Sequence, residues 1–228
     1  MKKTKLVSAV GGEVNLSDFI TQNLHLLPVP SVPEISLYTA HPASRVGKLG
    51  NKDIHGDDHP PYWAYRWAGG TVLARHILDH PEVVAGWRVL DLGSGSGIVG
   101  IAAAKAGAKA VVSVDIDPNA SIANRLNAAV NGVHITTICQ DILNNAPPET
   151  DIIAIGDLFY DPNLAGKVTA YLDKCIAARI TVIVGDPGRE YLPRERLRVL
   201  SKHSVPDFGD GEASSPDASA VYLFRSKP

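Results

Sequence analysis

Residues 87–97 read Trp87-Arg88-Val89-Leu90-Asp91-Leu92-Gly93-Ser94-Gly95-Ser96-Gly97, and their order decides the fold. Val89, Leu90 and Leu92 form a short apolar run suited to a buried strand. Past the carboxylate of Asp91 come three alternating glycines, which let the backbone turn sharply and approach a ligand closely. Ile98 to Ala106 is small and helix-permissive, so the loop opens onto a helix N-terminus whose free N–H groups and dipole favour an anion. A further strand, Ala110 to Val114, ends at Asp115. An acid there is placed to accept two hydrogen bonds from a ribose diol. Strand, glycine loop, helix, strand and acid together predict a nucleoside-binding half-fold.

Two nucleoside cofactors compete for that half-fold. Gly95-Ser96-Gly97-Ile98-Val99-Gly100 matches the G-x-G-x-x-G of NAD enzymes, a weak signal by itself. Asp91 opposes it, because a carboxylate just before the loop repels a pyrophosphate. It would attract the α-ammonium of S-adenosylmethionine (SAM) instead. The run Asp91 to Gly97 resembles the D-x-G-x-G-x-G loop of the class I SAM-dependent methyltransferases, so SAM is the favoured cofactor.

The chain has 228 residues, 45% of them hydrophobic, enough for one α/β domain with an N-terminal extension. A net charge of −2 without a basic run argues against a nucleic-acid partner. Cys139 and Cys175 suit a reducing compartment and read as spacers, not a disulfide. The basic start Met1-Lys2-Lys3-Thr4-Lys5 lacks a following apolar stretch, so neither a signal peptide nor a membrane span is expected. The expected location is cytoplasmic, and the expected state a monomer.

Residues 1–60 read as the extension and 61–228 as the catalytic domain. Residues 1–14 carry no expected element. Leu16 to Leu27 has a helical apolar pattern behind Ser17 as N-cap, and Glu34 to Ala40 alternates like a strand, able to add a hairpin over cofactor or substrate. Asp53 to Pro61 is a solvated loop; His55 and His59 tempt a metal reading, but Gly56 and Pro60 oppose the helix that would align them, so no metal is expected. Trp63 and Trp67 stand four apart before the helix Thr71 to His80, as core or as a wall beside a nucleoside. Beyond Asp115 the expected elements are helix Asn119–Asn131, strand Ile135–Ile138, strand Asp151–Gly156, helix Leu164–Ala178, strand Ile180–Val184, a charged helix Arg194–Lys202, and an antiparallel pair, Val205–Phe208 with Ala220–Arg225. Asp141, after the third strand, is placed to accept a hydrogen bond from an adenine amino group. This alternation predicts a doubly wound α/β sheet.

The reacting end lies after the fourth strand. Many amino-methyltransferases carry Asn-Pro-Pro-Tyr there, which presents neutral acceptors to a neutral NH₂. This chain has Asp157-Leu158-Phe159-Tyr160, and a carboxylate suits a cationic amine. The alternative is a helix cap. Asp157 to Tyr160 resembles the D-x-F-Y signature of the family 16 protein lysine methyltransferases. Pro61-Tyr62-Trp63-Ala64, Trp67 with Gly69-Gly70, Asp115-Ile116-Asp117-Pro118, Gly156 to Asp161 and Gly185-Asp186-Pro187-Gly188-Arg189 are similar to the branch acting on the electron transfer flavoprotein β subunit. Ala68 departs from that branch's frequent proline.

The resemblance implies a seven-stranded class I sheet with one reversed strand, SAM as cofactor, and a lysine ε-amine of a protein, the electron transfer flavoprotein β subunit, as acceptor. It implies that Gly93, Ser94 and Gly95 line the methionine part, Asp115 and Ile116 the ribose and adenine, and that Trp67 packs on the cofactor. Asp157 and Tyr160 would face the lysine, with Phe159 and the tryptophans as further walls. Its eukaryotic members are mitochondrial, and the start of this chain reads as a bacterial, cytoplasmic version. A lysine methyltransferase acting on a ribosomal protein, an NAD-dependent oxidoreductase and a non-catalytic SAM-binding scaffold are the competing readings.

Overall fold

Alternating side chains along the central strands sort into two apolar layers, and this places the helices. The computed structural model describes residues 15–49, 52–205 and 219–227. Its elements are α1 (Leu16–Asn23), β1 (His25–Val29), β2 (Val32–Thr39), α2 (Ala68–Asp79), β3 (Arg88–Leu92), α3 (Ile98–Lys105), β4 (Ala110–Asp115), α4 (Pro118–Val130), β5 (Thr136–Cys139), β6 (Ile152–Gly156), α5 (Pro162–Ala177), β7 (Thr181–Asp186), β8 (Leu197–His203) and β9 (Ser219–Phe224). On one face Val89, Val111, Ile152, Ala154 and Ile183 pack with residues of α2 and α3. On the other, Leu90, Leu92, Val114, Ile153, Ile155, Val182 and Val184 pack with α5. Period-two alternation thus yields a sheet covered on both sides.

The main sheet has seven strands in the order β5-β4-β3-β6-β7-β9-β8. β3 to β7 are parallel, and β9 runs antiparallel to both β7 and β8. The order turns back between β3 and β6, so the carboxyl ends of those strands flank a crevice where open α/β sheets bind ligands.

Three expectations need correction. The helix expected over Arg194–Lys202 is a short 3-10 turn, Arg194–Arg196, followed by β8. The charge pattern is that of a strand at the sheet edge, and pairing with β9 outweighs local helix propensity. β9's partner is therefore Leu197–His203, not Val205–Phe208, of which 206–208 lie outside the described residues. The first helix stops at Asn23, with Asn15, not Ser17, capping it through a 3.0 Å bond from the Ser17 N–H. Leu24 to Leu27 leaves the helix because β1 pairs antiparallel with β2. Residues 1–14 lie outside the described residues. Among those described, no helix is long and apolar enough to cross a membrane.

The extension shares the main core. Val29, Val32, Ile35 and Leu37 join the α2–α3 layer, and Asn131 of the loop after α4 bonds Ser36 through both its amide oxygen and its amide nitrogen. Trp63 is buried among Leu16, Ile20, Leu24, Val46, Ala120 and Ala123, so of its two readings the structure selects core packing.

Helix α2 approaches the sheet backbone to backbone. A Cβ on Gly185 of β7 would lie 2.1 Å from the Gly69 carbonyl oxygen and 2.7 Å from Leu73 Cβ, whereas a Cβ on Gly166 of α5 would meet nothing within 4 Å. Gly185→Ala should therefore destabilise the fold by roughly 1–3 kcal/mol or more through overpacking. Gly166→Ala should stabilise it by about 0.5–1 kcal/mol through helix propensity. Denaturant midpoints of the two variants, moving in opposite directions, check this contact.

Candidate active site

The glycine loop is bound to its neighbour strand by main-chain hydrogen bonds. The N–H groups of Gly93 and Ser94 both donate to the Val114 carbonyl, at 2.9 and 3.1 Å. Asp115 accepts from Gly95 N–H at 2.8 Å and from Asp117 N–H at 3.0 Å. Gly93 has φ 68°, and a Cβ there would fall 2.6 Å from Leu158 Cδ2. The loop after β3 and the loop after β6 thus touch across the crevice, and only a glycine fits between them.

Asp91 is placed differently from a ligand-facing acid. It is 1% exposed, and its Oδ2 accepts the Gly100 N–H at 2.9 Å. It braces the first turn of α3 from beneath. Burial pushes its carboxyl up to about 7. Burial likewise raises Asp115 to about 6.

The 53–59 loop makes contacts that its sequence did not predict. Asp53 Oδ1 accepts the N–H groups of His55 and Asp57, and its Oδ2 meets His59 Nε2 at 2.9 Å. The knotted loop then docks on the sheet edge. Ile54 N–H donates to the Ile116 carbonyl at 3.0 Å, and His55 Nε2 lies 3.4 Å from Asp141 Oδ2. The loop is exposed at 52 and 54–58, as expected of a solvated loop, and these two contacts anchor it beside Ile116 and Asp141. Asp141 also accepts the Leu143 N–H at 2.9 Å. Candidate ligand atoms of Asp53, Asp57 and His59 lie within 4.8 Å of one another, and the Asp53 bonds within the loop account for that grouping.

At the opposite end Asp157 has φ 56°, a left-handed conformation that aspartate tolerates better than most residues. Its side chain is 10% exposed. Oδ2 accepts the Gly70 N–H in the first turn of α2 at 2.9 Å. Oδ1 accepts Arg189 Nη2 at 2.8 Å and Nε at 3.2 Å. Burial pushes Asp157 up to about 7 against the opposing pull of Arg189. So Asp157 does cap a helix, but that helix is α2; the following helix, α5, is capped by Asp161.

Aromatic rings line the approach. Trp67, just before α2, donates its indole N–H to the Tyr62 carbonyl at 2.9 Å and meets the Tyr62 ring edge-on at 5.6 Å. The Tyr62 ring lies 5.7 Å from that of Tyr160, which is 46% exposed. Phe159, expected as a wall, is fully buried in the α5 layer and lines nothing. Arg189 and Leu158 were not singled out as site residues. The acid-turn-arginine sequence Asp186 to Arg189 at a strand's carboxyl end was the available signal for Arg189. Leu158 had none beyond its neighbours.

The ribosomal protein L11 methyltransferase (PrmA) family model matches residues 70–155. The electron transfer flavoprotein beta subunit lysine methyltransferase of Danio rerio is 36% identical over 231 residues, covering 98% of this chain and 89% of that protein. Its Homo sapiens counterpart is 45% identical over 171 residues, covering 72% and 65%. Among solved structures, the T. thermophilus 16S rRNA N2 G1207 methyltransferase in complex with AdoMet and guanosine superposes with a TM-score of 0.52 at 18% identity, over 85% of this chain and 47% of that one. That likeness shows the fold, that of the class I methyltransferases.

The raised carboxyls set a pH dependence. The folded protein holds a proton on Asp91 that the unfolded chain releases near ~3.9, so its contribution to stability is greatest below that value and is lost as pH rises through about 7. His76, lowered to about 4 by burial, acts oppositely only below its unfolded value of 6.5. Between pH 6.5 and 8 the melting temperature should therefore fall, and Asp91→Asn, which keeps an acceptor for Gly100, should flatten that slope. An equal slope in both proteins would count against charge burial at Asp91.

Proposed function

This chain belongs to the electron transfer flavoprotein β-subunit lysine methyltransferase family, and on that premise we propose that it transfers methyl groups from SAM to a lysine ε-amine of the electron transfer flavoprotein β subunit. The observation that carries the reading is the pairing of a glycine crevice with a buried carboxylate, Asp157, at the head of an aromatic approach. The ribosomal model matches only the cofactor half, 70–155, and bears on the cofactor, not on the acceptor.

The residues fit SAM. Buried carboxyls at Asp91 and Asp115 stand above their ordinary values in the protein alone, and a ligand carrying ammonium and sulfonium charges relieves that cost. Asp115, which accepts the main-chain N–H groups of Gly95, Asp117 and Ile116, keeps capacity for a further hydrogen bond from a ribose hydroxyl. Ile116 and Asp141 bound the adenine end beneath the Asp53 loop, Gly93 to Gly95 the methionine end, and Trp67 the rim.

SAM supplies a methyl carbon already activated by a positive sulfur, so the chain's task is alignment and exclusion of water. The acceptor nitrogen must bring a free lone pair in line with the breaking bond. Asp157 aligns the amine through a lone pair left over from its bonds to Gly70 and Arg189. Tyr160, Tyr62 and Trp67 wall the approach and lower the dielectric around the amine, which favours its neutral form. We place the enzyme in the cytoplasm as a monomer acting on protein, a reading supported by two unpaired cysteines and by the net charge of −2.

Incubation with SAM and purified electron transfer flavoprotein β subunit should add methyl groups to lysine, read by mass spectrometry, and should leave ribosomal protein L11 unmodified. Methylation of L11 alone would overturn the acceptor. Turnover should persist in EDTA. Asp157→Asn preserves shape, tolerates the left-handed backbone and can still accept the Gly70 N–H, so SAM affinity by calorimetry should stay near wild type. Turnover should fall about tenfold or more, since a hydrogen bond to a charged group contributes ~1.5–3 kcal/mol. Near wild-type turnover would remove Asp157 from the reaction.

A further inference from the structure

Asp157 poses an electrostatic problem. A lone carboxylate beside a lysine raises the amine's pKa above ~10.4, yet only the neutral amine attacks a methyl carbon. The neighbouring cation answers it. Arg189 donates twice to Oδ1 of Asp157, and its Cζ lies 5.8 Å from the centre of the Trp67 ring. The turn holding it is itself fixed, because Asp186 Oδ1 accepts the N–H groups of Gly188 and Arg189 at 2.6 and 2.7 Å. We propose that Arg189 is a positioning residue that cancels the charge of Asp157, so that the carboxylate orients the acceptor lysine without holding it protonated. The proposal rests on Asp157 facing the acceptor.

Other charges face this pair from each neighbouring element. The N-terminal end of α2 presents its partial positive charge at Gly70. Asp186 lies beneath, fully buried, one oxygen without a partner, and Arg194 faces Asp186 while donating to the Gly188 carbonyl. Tyr62, Asp115 and Asp161 face Tyr160. Arg189 alone among these puts a full positive charge in contact with Asp157. A guanidinium does not deprotonate in this range, so Asp157 and Arg189 form a dipole whose field on the amine is weaker than that of a bare carboxylate. The reaction then balances simply. The nitrogen lone pair forms the new N–CH₃ bond, the C–S electron pair stays on sulfur as a thioether, and the resulting ammonium releases its proton to solvent.

The test is the pH dependence of the single-turnover rate at saturating SAM and acceptor, with SAM affinity measured on each variant to establish folding. Arg189→Gln should move the apparent pKa of the profile upward by roughly one unit or more. Its rate should drop several-fold or more at neutral pH and recover at alkaline pH. Arg189→Lys, which keeps the charge, should hold the wild-type profile, and Asp157→Asn combined with Arg189→Gln should abolish the shift. A uniform loss at every pH in Arg189→Gln, or an equal shift in Arg189→Lys, would overturn the proposal while leaving Asp157 in place. Near wild-type turnover in Asp157→Asn alone would instead remove the acceptor reading beneath it.

Discussion

The rest of the site depends on how closely one helix meets the sheet. α2 lies against β6 and β7 through glycines on both sides, so close that a Cβ on Gly156 would fall 2.7 Å from the Gly70 Cα and one on Gly69 2.4 Å from the Gly185 carbonyl oxygen. This approach brings the free N–H of Gly70 within 2.9 Å of Asp157 at the end of β6. A side chain at any of these positions would lift the helix and leave the carboxylate without its backbone donor. The order of the sheet is thereby converted into the orientation of one acid.

A second constraint is charge. Asp91, Asp115 and Asp157 all lie at the carboxyl ends of neighbouring strands, and burial raises each one. The chain satisfies them unequally. Asp91 and Asp115 receive main-chain N–H groups, whereas Asp157 also receives a cationic side chain. Arg189 thus sets the Asp157 end of the crevice apart from the end at Asp91 and Asp115. Under the proposed function, that asymmetry suits a cationic methyl donor at Asp91 and Asp115 and a neutral amine at Asp157.

Much of this was legible in the sequence because it depends on short-range order. The strand-loop-helix-strand signal at 88–115 and the acids at 91, 115 and 157 follow from spacing, and the structure puts all three acids at one edge. What was not legible depends on distant partners. Nothing local distinguishes Leu197–His203 from a charged helix until β9 supplies its hydrogen bonds. Leu24 to Leu27 continues a helical pattern until β2 competes for it. The Asp53 loop is exposed, as its composition implies, but its anchors, Ile116 and Asp141, are dozens of residues away and leave no local signal. Phe159 looked like a wall because sequence does not reveal which of two adjacent aromatics turns inward.

The two ends of the crevice are also built from different material. The end after β3 and β4 is mostly main chain: the glycine loop, its bonds to Val114, and an acid gripping Gly95. The other end is side chain, gathered from separate elements: Trp67 and Tyr62 before α2, Asp157 and Tyr160 after β6, Arg189 after β7. The match to the ribosomal protein methyltransferase model ends at residue 155, two residues before Asp157. The match therefore runs from within α2 to within β6, and the residues proposed to face the acceptor, Tyr62, Trp67, Asp157, Tyr160 and Arg189, fall outside it.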